Sequence, residues 1–322
     1  MIKLHRCPIC DSDKIPVLKE YRYERPAHIS REVIPSADIS YVEERTWLFL
    51  EYIWPDDEPA VISLHGCSAC GFLFSNPRQT DEQIEKIFSV VNELGIPKWR
   101  QAHNPPQRMS ERAGRIFKLI SDCSSPPLSS RDVLDYGGRQ GFNLVPFVDA
   151  GNHCFVLDYV DVELARGVQL LGCNLSDIEP DRTFDLILLC HVLEHVREPL
   201  QMLEDLSRHL KPDGLLYVEV PLGAHAEWDH LSEPMTHVNF FSEESLYKAL
   251  HMAGLSVRHL STQRQWITHG PMTCLNIIGS PTTRRDAVFQ FRGTHQQMRY
   301  PRMTAIRYLK KLKRSIRSLI RA

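Results

Sequence analysis

Long apolar runs are missing from this chain. Nowhere in its 322 residues do about 18 apolar residues follow one another, so no membrane-spanning helix is expected. The opening Met1-Ile2-Lys3-Leu4-His5-Arg6 lacks the apolar centre of a secretory leader, which points to the cytoplasm. Excess charge is also lacking. Lys and Arg number 38 against 40 Asp and Glu, for a net charge of -2, and such a balance argues against a surface built throughout for nucleic acid. Cysteines number nine, too few for a disulfide scaffold of this size, so their spacing has another meaning. A hydrophobic content of 43% is ordinary for a globular protein, and the length suits one large domain with a smaller one.

Four of the cysteines form two knuckles, Cys7-Pro8-Ile9-Cys10 and Cys67-Ser68-Ala69-Cys70, with Gly71 after the second. Each knuckle offers two sulfurs from one turn, and four thiolates suit a closed tetrahedral zinc site. The expected role of Zn2+ is structural, because a region of such irregular sequence has little core of its own. His5 and His65 flank the knuckles, but Cys7, Cys10, Cys67 and Cys70 already complete the shell. The 56 residues between Cys10 and Cys67 leave room for strands, with Tyr41 to Arg45 and Ala60 to Leu64 as candidates.

The stretch Arg131-Asp-Val-Leu-Asp-Tyr-Gly-Gly-Arg-Gln-Gly-Phe142 reads as a strand, a glycine-rich turn and a helix start. Backbone amides there can approach a ligand closely at a helix N-terminus. A second apolar run, Cys154 to Leu157, ends in Asp158, 23 residues beyond Asp135, where an acidic side chain can accept hydrogen bonds from ribose hydroxyls. Phe184 to Cys190 reads as a buried parallel strand and leads into His191-Val192-Leu193-Glu194-His195. With Leu210-Lys211-Pro212-Asp213-Gly214-Leu215-Leu216, these pieces resemble the class I S-adenosylmethionine-dependent methyltransferases over roughly residues 129 to 280.

The resemblance implies an α/β, Rossmann-like sheet behind a small N-terminal zinc-binding domain, and S-adenosylmethionine as cofactor. Asp135, Gly137, Gly138 and Gly141 would cradle its methionine part, Asp158 its ribose and Asp177 its adenine, with His191 beside them. One departure stands out: Arg139 occupies a loop position where the family pattern has glycine. A bulky residue forced to positive φ there would cost about 1 kcal/mol or more.

The expected organisation is a zinc-binding module over 1–80, a helical cover over 81–128, the methyltransferase domain over 129–281 and a tail over 282–322. Helices are predicted at Asp81 to Val90 (Ile84, Ile87 and Phe88 on one face), Ser110 to Ile120, Val160 to Leu171, Pro199 to Leu210 and from Ser242 to Gly254. Asn92 to Gln107 is expected to be loop. Strands are predicted at Asp185 to Leu189, Leu215 to Val220, Ser256 to Leu260 and Met272 to Ile278.

Methyl transfer commonly needs a base for the acceptor's proton, and neutral histidine suits that task near pH 7. His191, His195, His225, His230 and His237 follow the fourth and fifth strands of the sheet. His237-Val-Asn-Phe-Phe241 resembles a segment of sugar and small-molecule methyltransferases with an N-terminal zinc module, which makes His237 the first candidate and His195 the second. The expected acceptor is a small molecule, a nucleotide-linked or cell-surface glycan sugar. Longer members of that group carry a further C-terminal domain that this chain is too short to hold.

Two other readings are an RNA methyltransferase and a non-catalytic binding protein. Against RNA, the position after the fourth strand reads Cys190-His191-Val192-Leu193 and not an Asn- or Asp-Pro-Pro-aromatic motif. Asp38, Glu43, Glu44, Glu51, Asp56, Asp57 and Glu58 also make the segment between the knuckles acidic. From Pro301 to Ala322 basic residues alternate with an apolar stripe of Ile306, Leu309, Leu312, Ile316, Leu319 and Ile320, a pattern that suits an anionic membrane surface, packing on the protein, or RNA. Peripheral association at the inner membrane surface is therefore an expectation for the tail.

Overall fold

Alternating apolar residues along five short runs build the central sheet. The computed structural model describes residues 1–24, 49–54, 59–93, 106–124, 128–159, 163–223, 237–267 and 270–282. In β4 (Asp132–Tyr136), Val133 faces a core with Ile116, Ile120, Phe147 and Tyr217, while Leu134 faces the opposite core with Phe155, Ile187 and Leu216. Side chains that alternate across a strand require cover on both faces. Helix α2 (Pro106–Cys123) and α3 (Val145–Asp149) supply one layer, and α4 (Pro199–Arg208) and α5 (Glu243–Met252) the other.

The seven-stranded order is β10-β11-β8-β7-β4-β5-β6. Its members are β5 (His153–Leu157), β6 (Val168–Gly172), β7 (Phe184–Cys190), β8 (Leu210–Pro221), β10 (Leu255–Ile267) and β11 (Gly270–Pro281), besides β4. Pairings among β4 to β8 are parallel, and β11 enters antiparallel to β8. The switch in strand order lies at β4, with β5 on one side and β7 on the other. Ligand loops gather at the carboxyl ends of such strands.

One predicted helix is a strand. Val168 to Leu171, expected to finish a helix begun at Val160, belongs to β6 and pairs parallel to β5. Gly167 stands at φ 81, where it ends any helix, and a Cβ there would come within 2.6 Å of Val148. Residues 160–162 of that prediction lie outside the described residues, as do Tyr41 to Arg45, His225, His230, the Pro301 to Ala322 tail, and 94–105 of the predicted loop. Asn92, Glu93, Pro106 and Gln107 are helical where loop was expected, and Leu210 opens β8 instead of ending a helix; the other predicted elements within the described residues are present. α1 spans Asp81–Glu93, and α5 starts on a Ser242 cap whose hydroxyl accepts from the Ser245 amide at 3.1 Å.

A second sheet, β1-β2-β3-β9, joins segments far apart in the chain. β1 (Val17–Tyr23), β2 (Ala60–Gly66) and β3 (Leu73–Asn76) come from the N-terminal module, and β9 (Asn239–Phe240) from the segment before α5. The module has a small core of Phe49, Leu50, Ile53, Ala60 and Ile62. Its other apolar face, with Ile9, Phe72 and Phe74, belongs to the same buried cluster as Phe241, Leu193 and Leu203. Among the described residues no helix is long and apolar enough to cross a membrane.

Candidate functional site

The loop from β4 to α3 is built around the Asp135 carboxyl, which is fully buried. Its Oδ2 accepts from Asn143 Nδ2 at 3.1 Å, and its Oδ1 has no hydrogen-bond partner among the described residues. Burial pushes its pKa up to about 7, against the Asn143 hydrogen bond. Gly138 packs directly on it: a Cβ would lie 2.5 Å from the carboxyl, so only glycine fits. Gly137 donates its N–H to Leu157 O at 2.8 Å, and Gly141, at φ 76, opens the turn that becomes α3.

Arg139 lies at φ 51, the left-handed conformation that glycine adopts without strain. Its amide donates to Asp158 Oδ2 at 2.8 Å, so the acidic residue at the tip of β5 braces the loop. Burial raises the Asp158 pKa and this hydrogen bond lowers it, with burial prevailing. Asp177, in a short helical turn Leu175–Asp177, accepts the Cys173 and Asn174 amides at 2.7 and 3.1 Å. Its carboxylate thus shapes its own loop.

After β7 the chain turns sharply at His191, which sits at φ 56. Both ring nitrogens face carboxylates, Nδ1 with Glu194 Oε1 at 3.1 Å and Nε2 with Glu219 Oε1 at 3.0 Å. Burial alone would lower its pKa, but hydrogen bonds with Cys274, Glu194 and Glu219 lift it well above the ordinary imidazole value. What His191 can offer a cofactor is therefore its main chain and ring face. Glu219 also forms an ion pair with Arg112 of α2 and accepts from Tyr217 at 3.0 Å. Arg112 continues to Asn143 at 2.6 Å, which links the helical cover to the glycine loop.

The two candidate catalytic histidines meet. The rings of His195 and His237 lie 4.7 Å apart, edge to face, and both are half-buried. Glu194, nearly fully buried, stands beside them; ligand atoms of the three lie within 4.8 Å of one another. Burial would raise the Glu194 pKa, but His191, His195 and His237 hold it down at about 2. A carboxylate and two imidazoles can pass a proton, and the same donor set accepts a divalent cation. Glu194 Oε2 is buried without a hydrogen-bond partner among the described residues.

The four cysteines converge as the knuckle spacing implies. Cys7 and Cys70 sulfurs lie 3.6 Å apart and Cys10 and Cys67 3.5 Å, against an edge of about 3.8 Å for a tetrahedron with zinc–sulfur bonds of ~2.3 Å. Both knuckles close alike: the Asp11 amide donates to Cys7 O and the Gly71 amide to Cys67 O, with each donor at positive φ. A hydrogen bond from Cys70 lowers the Cys7 pKa, against its burial. The donor set fits Zn2+. His65 is turned elsewhere, with Nδ1 2.8 Å from Ile15 O.

Sequence reasoning missed Arg112, Glu219, Arg78 and Asn239. Glu219 had a signal, a lone charge within the apolar run Leu215 to Val220. The others draw their roles from partners distant in the chain.

Residues 108–260 match the family model for a methyltransferase domain. A "probable S-adenosylmethionine-dependent methyltransferase" of Mycobacterium tuberculosis is 25% identical over 114 residues, 33% of this chain and 42% of that protein. The ubiquinone biosynthesis O-methyltransferase of Rickettsia akari is 25% identical over 113 residues, 32% of this chain and 45% of that one. The chain thus spans less than half the length of these curated relatives. In fold it is similar to the 1,6-didemethyltoxoflavin-N1-methyltransferase of Burkholderia thailandensis, solved with bound 1,6-didemethyltoxoflavin and S-adenosylhomocysteine. That likeness has a TM-score of 0.50 and 15% identity, over 68% of this chain and 99% of the other. The chain carries a methyltransferase domain with the Rossmann-like methyltransferase fold.

Proposed function

We propose that this chain methylates a small-molecule acceptor with S-adenosylmethionine, and that the acceptor is a nucleotide-linked or glycan sugar. The observation that carries the methyl-transfer reading is the buried Asp135 carboxyl beside Gly138, with one oxygen lacking a partner among the described residues, at the switch point of the sheet. S-adenosylmethionine supplies an electrophilic methyl on a sulfonium. The loop at Gly137, Gly138 and Gly141 would give it close main-chain approach, Asp135 would attract its cationic amino end, and Asp158 would receive its ribose. The loop shaped by Asp177 would line the adenine, and His191 would hold the turn after β7 on the cofactor side.

On the acceptor side, His195 and His237 would face the incoming nucleophile, and one of the two would take its proton. The anionic Glu194 favours the imidazolium that results. The sugar assignment rests on the resemblance of His237-Val-Asn-Phe-Phe241 to sugar methyltransferases, and a small acceptor is also what the Burkholderia enzyme holds beside S-adenosylhomocysteine. Zn2+ is assigned to Cys7, Cys10, Cys67 and Cys70.

Titration with S-adenosylhomocysteine tests the cofactor site. Binding that is lost in Asp158→Ala is expected, and absence of binding by the folded protein would reject the enzyme reading in favour of a non-catalytic one. Transfer of labelled methyl into RNA, lipid and nucleotide-sugar pools of a cell extract tests the acceptor. Label should enter the sugar or lipid-glycan pool and vanish with His237→Ala; label in RNA would overturn the sugar assignment.

A further inference from the structure

Arg78 is the largest fully buried side chain of the described residues, with 1% of its surface exposed. It donates to neutral oxygens: Nε to Ser75 O at 3.3 Å, Nη1 to Arg197 O at 2.5 Å, and Nη2 to Val238 O at 3.1 Å and Asn239 Oδ1 at 2.8 Å. Burial lowers its pKa to about 10, which still leaves it charged at neutral pH. A buried cation held by carbonyls is an expensive way to fill space, and an apolar side chain would do so more cheaply. The forked guanidinium does what an apolar group cannot: it joins three separate segments at once.

Those segments are the exit of β3, the turn between β7 and α4, and the strand that follows His237. The last is gripped from both sides. β3 pairs with it through Leu73 with Phe240 and Phe74 with Asn239, and the Ser75 amide donates to Val238 O at 3.0 Å. Opposite, the Val238 and Asn239 amides donate to Glu194 O at 2.9 and 3.1 Å, and Asn239 Nδ2 donates to Leu193 O and Val196 O at 2.8 and 2.7 Å. His237 is the residue just before this grip, and Glu194 and His195 belong to the loop that receives it.

We propose that Arg78 is a positioning residue for methyl transfer: with β3 it fixes His237 beside His195, so that the N-terminal module completes the acceptor side of the site. This rests on the acceptor-side reading given above.

The test uses the full chain with carbon-13-labelled histidine, its signals assigned with His195→Gln and His237→Gln. In Arg78→Met the His195 and His237 titrations should shift, and hydrogen exchange at the Val238 and Asn239 amides should accelerate by about tenfold or more. S-adenosylhomocysteine affinity should stay within about twofold, because Arg78 bonds none of Asp135, Gly137, Gly138, Gly141 and Asp158. Arg78→Lys keeps the charge without the fork; it should show the same shifts to a smaller degree, and it serves if the Met variant does not fold. Asn152→Ala is the control. Asn152 bonds Leu128 O and Phe147 O on the other face, so its loss should lower the melting temperature without moving either histidine. Unchanged histidine titrations and exchange in the Arg78 variants, or equal changes in the control, would overturn the proposal. If the unaltered protein binds no S-adenosylhomocysteine, the methyl-transfer reading fails separately, and the exchange data still judge the clamp.

Discussion

The Asp135 carboxyl has its pKa pushed by burial from 3.8 to about 7. A group that holds its proton longer in the folded state than in the unfolded one stabilises the fold at low pH and costs stability as pH rises between the two values. The full span is of order 4 kcal/mol. Glu194 and Glu219 have lowered values, and their contributions are already in place above their ordinary value of 4.5. Between pH 5 and about 7 the cofactor-free protein should therefore lose stability, and Asp135→Asn should flatten that limb. The same variant should bind S-adenosylhomocysteine at least about tenfold more weakly, because it cannot become the anion that a cationic amino group favours. Denaturant melts across pH, paired with titration calorimetry, read both effects. A limb that keeps its slope in Asp135→Asn would assign it elsewhere.

His191 carries a different sign. Its pKa is lifted well above 6.5, so the imidazolium contributes stability that is fully present below 6.5 and lost as pH rises through the folded value. Glu219→Gln removes the carboxylate shared by His191 and Arg112; His191 keeps Glu194, and the Arg112 guanidinium loses its carboxylate. Breaking a buried pair in this way costs about 3 to 5 kcal/mol, and the His191 titration should move down at the same time. Chemical denaturation and the histidine NMR signal should report the two changes together.

Among the elements, the glycine loop invites two substitutions with opposite outcomes. Arg139→Gly relieves a left-handed side chain and should raise stability by up to about 1 kcal/mol. Gly138→Ala drives a methyl to within 2.5 Å of the Asp135 carboxyl and should lose cofactor binding. Unfolding curves and cofactor titration distinguish them; an Arg139→Gly protein no more stable than its parent would show that the conformational entropy glycine loses on folding offsets the relieved strain.

The strands at β4, β5, β7 and β8 were legible because unbroken apolar runs leave one solution, a strand buried on both faces. β6 was not, since Val168, Leu170 and Leu171 fit either period and only Gly167 argued for the strand. Asp135 and Asp158 could be placed at the ends of β4 and β5 from the apolar runs that precede them. The Glu194 carboxylate between three histidines could not, because it needs the return of the chain at His237.

At the scale of the molecule, the four-cysteine cluster and the segment after His237 share one core. Cys7, Cys67 and Cys70 are buried in the same apolar cluster as Phe72, Phe74 and Phe241, and the Phe72 and Phe241 rings lie 5.0 Å apart. Four thiols brought this close repel as thiolates form, and a divalent ion held by them, as proposed above, would make their convergence favourable. Removing it should loosen the N-terminal sheet first, and with it β9, whose partner in that sheet is β3. The seven-stranded sheet has its own core against α2 and α3 and should stay folded. Treating the whole chain with a zinc chelator, or making Cys67→Ser, should therefore give two unfolding steps where the intact protein gives one. The earlier step should carry lost amide protection at Leu73, Phe74 and Asn239, while β4 and β5 stay protected. The coupling runs both ways: if chelation left exchange at Asn239 unchanged, the cluster would stabilise its own knuckles and nothing beyond them. A loss at Asn239 matched by equal loss at Leu134 would show one cooperative unit, with the metal holding the whole chain.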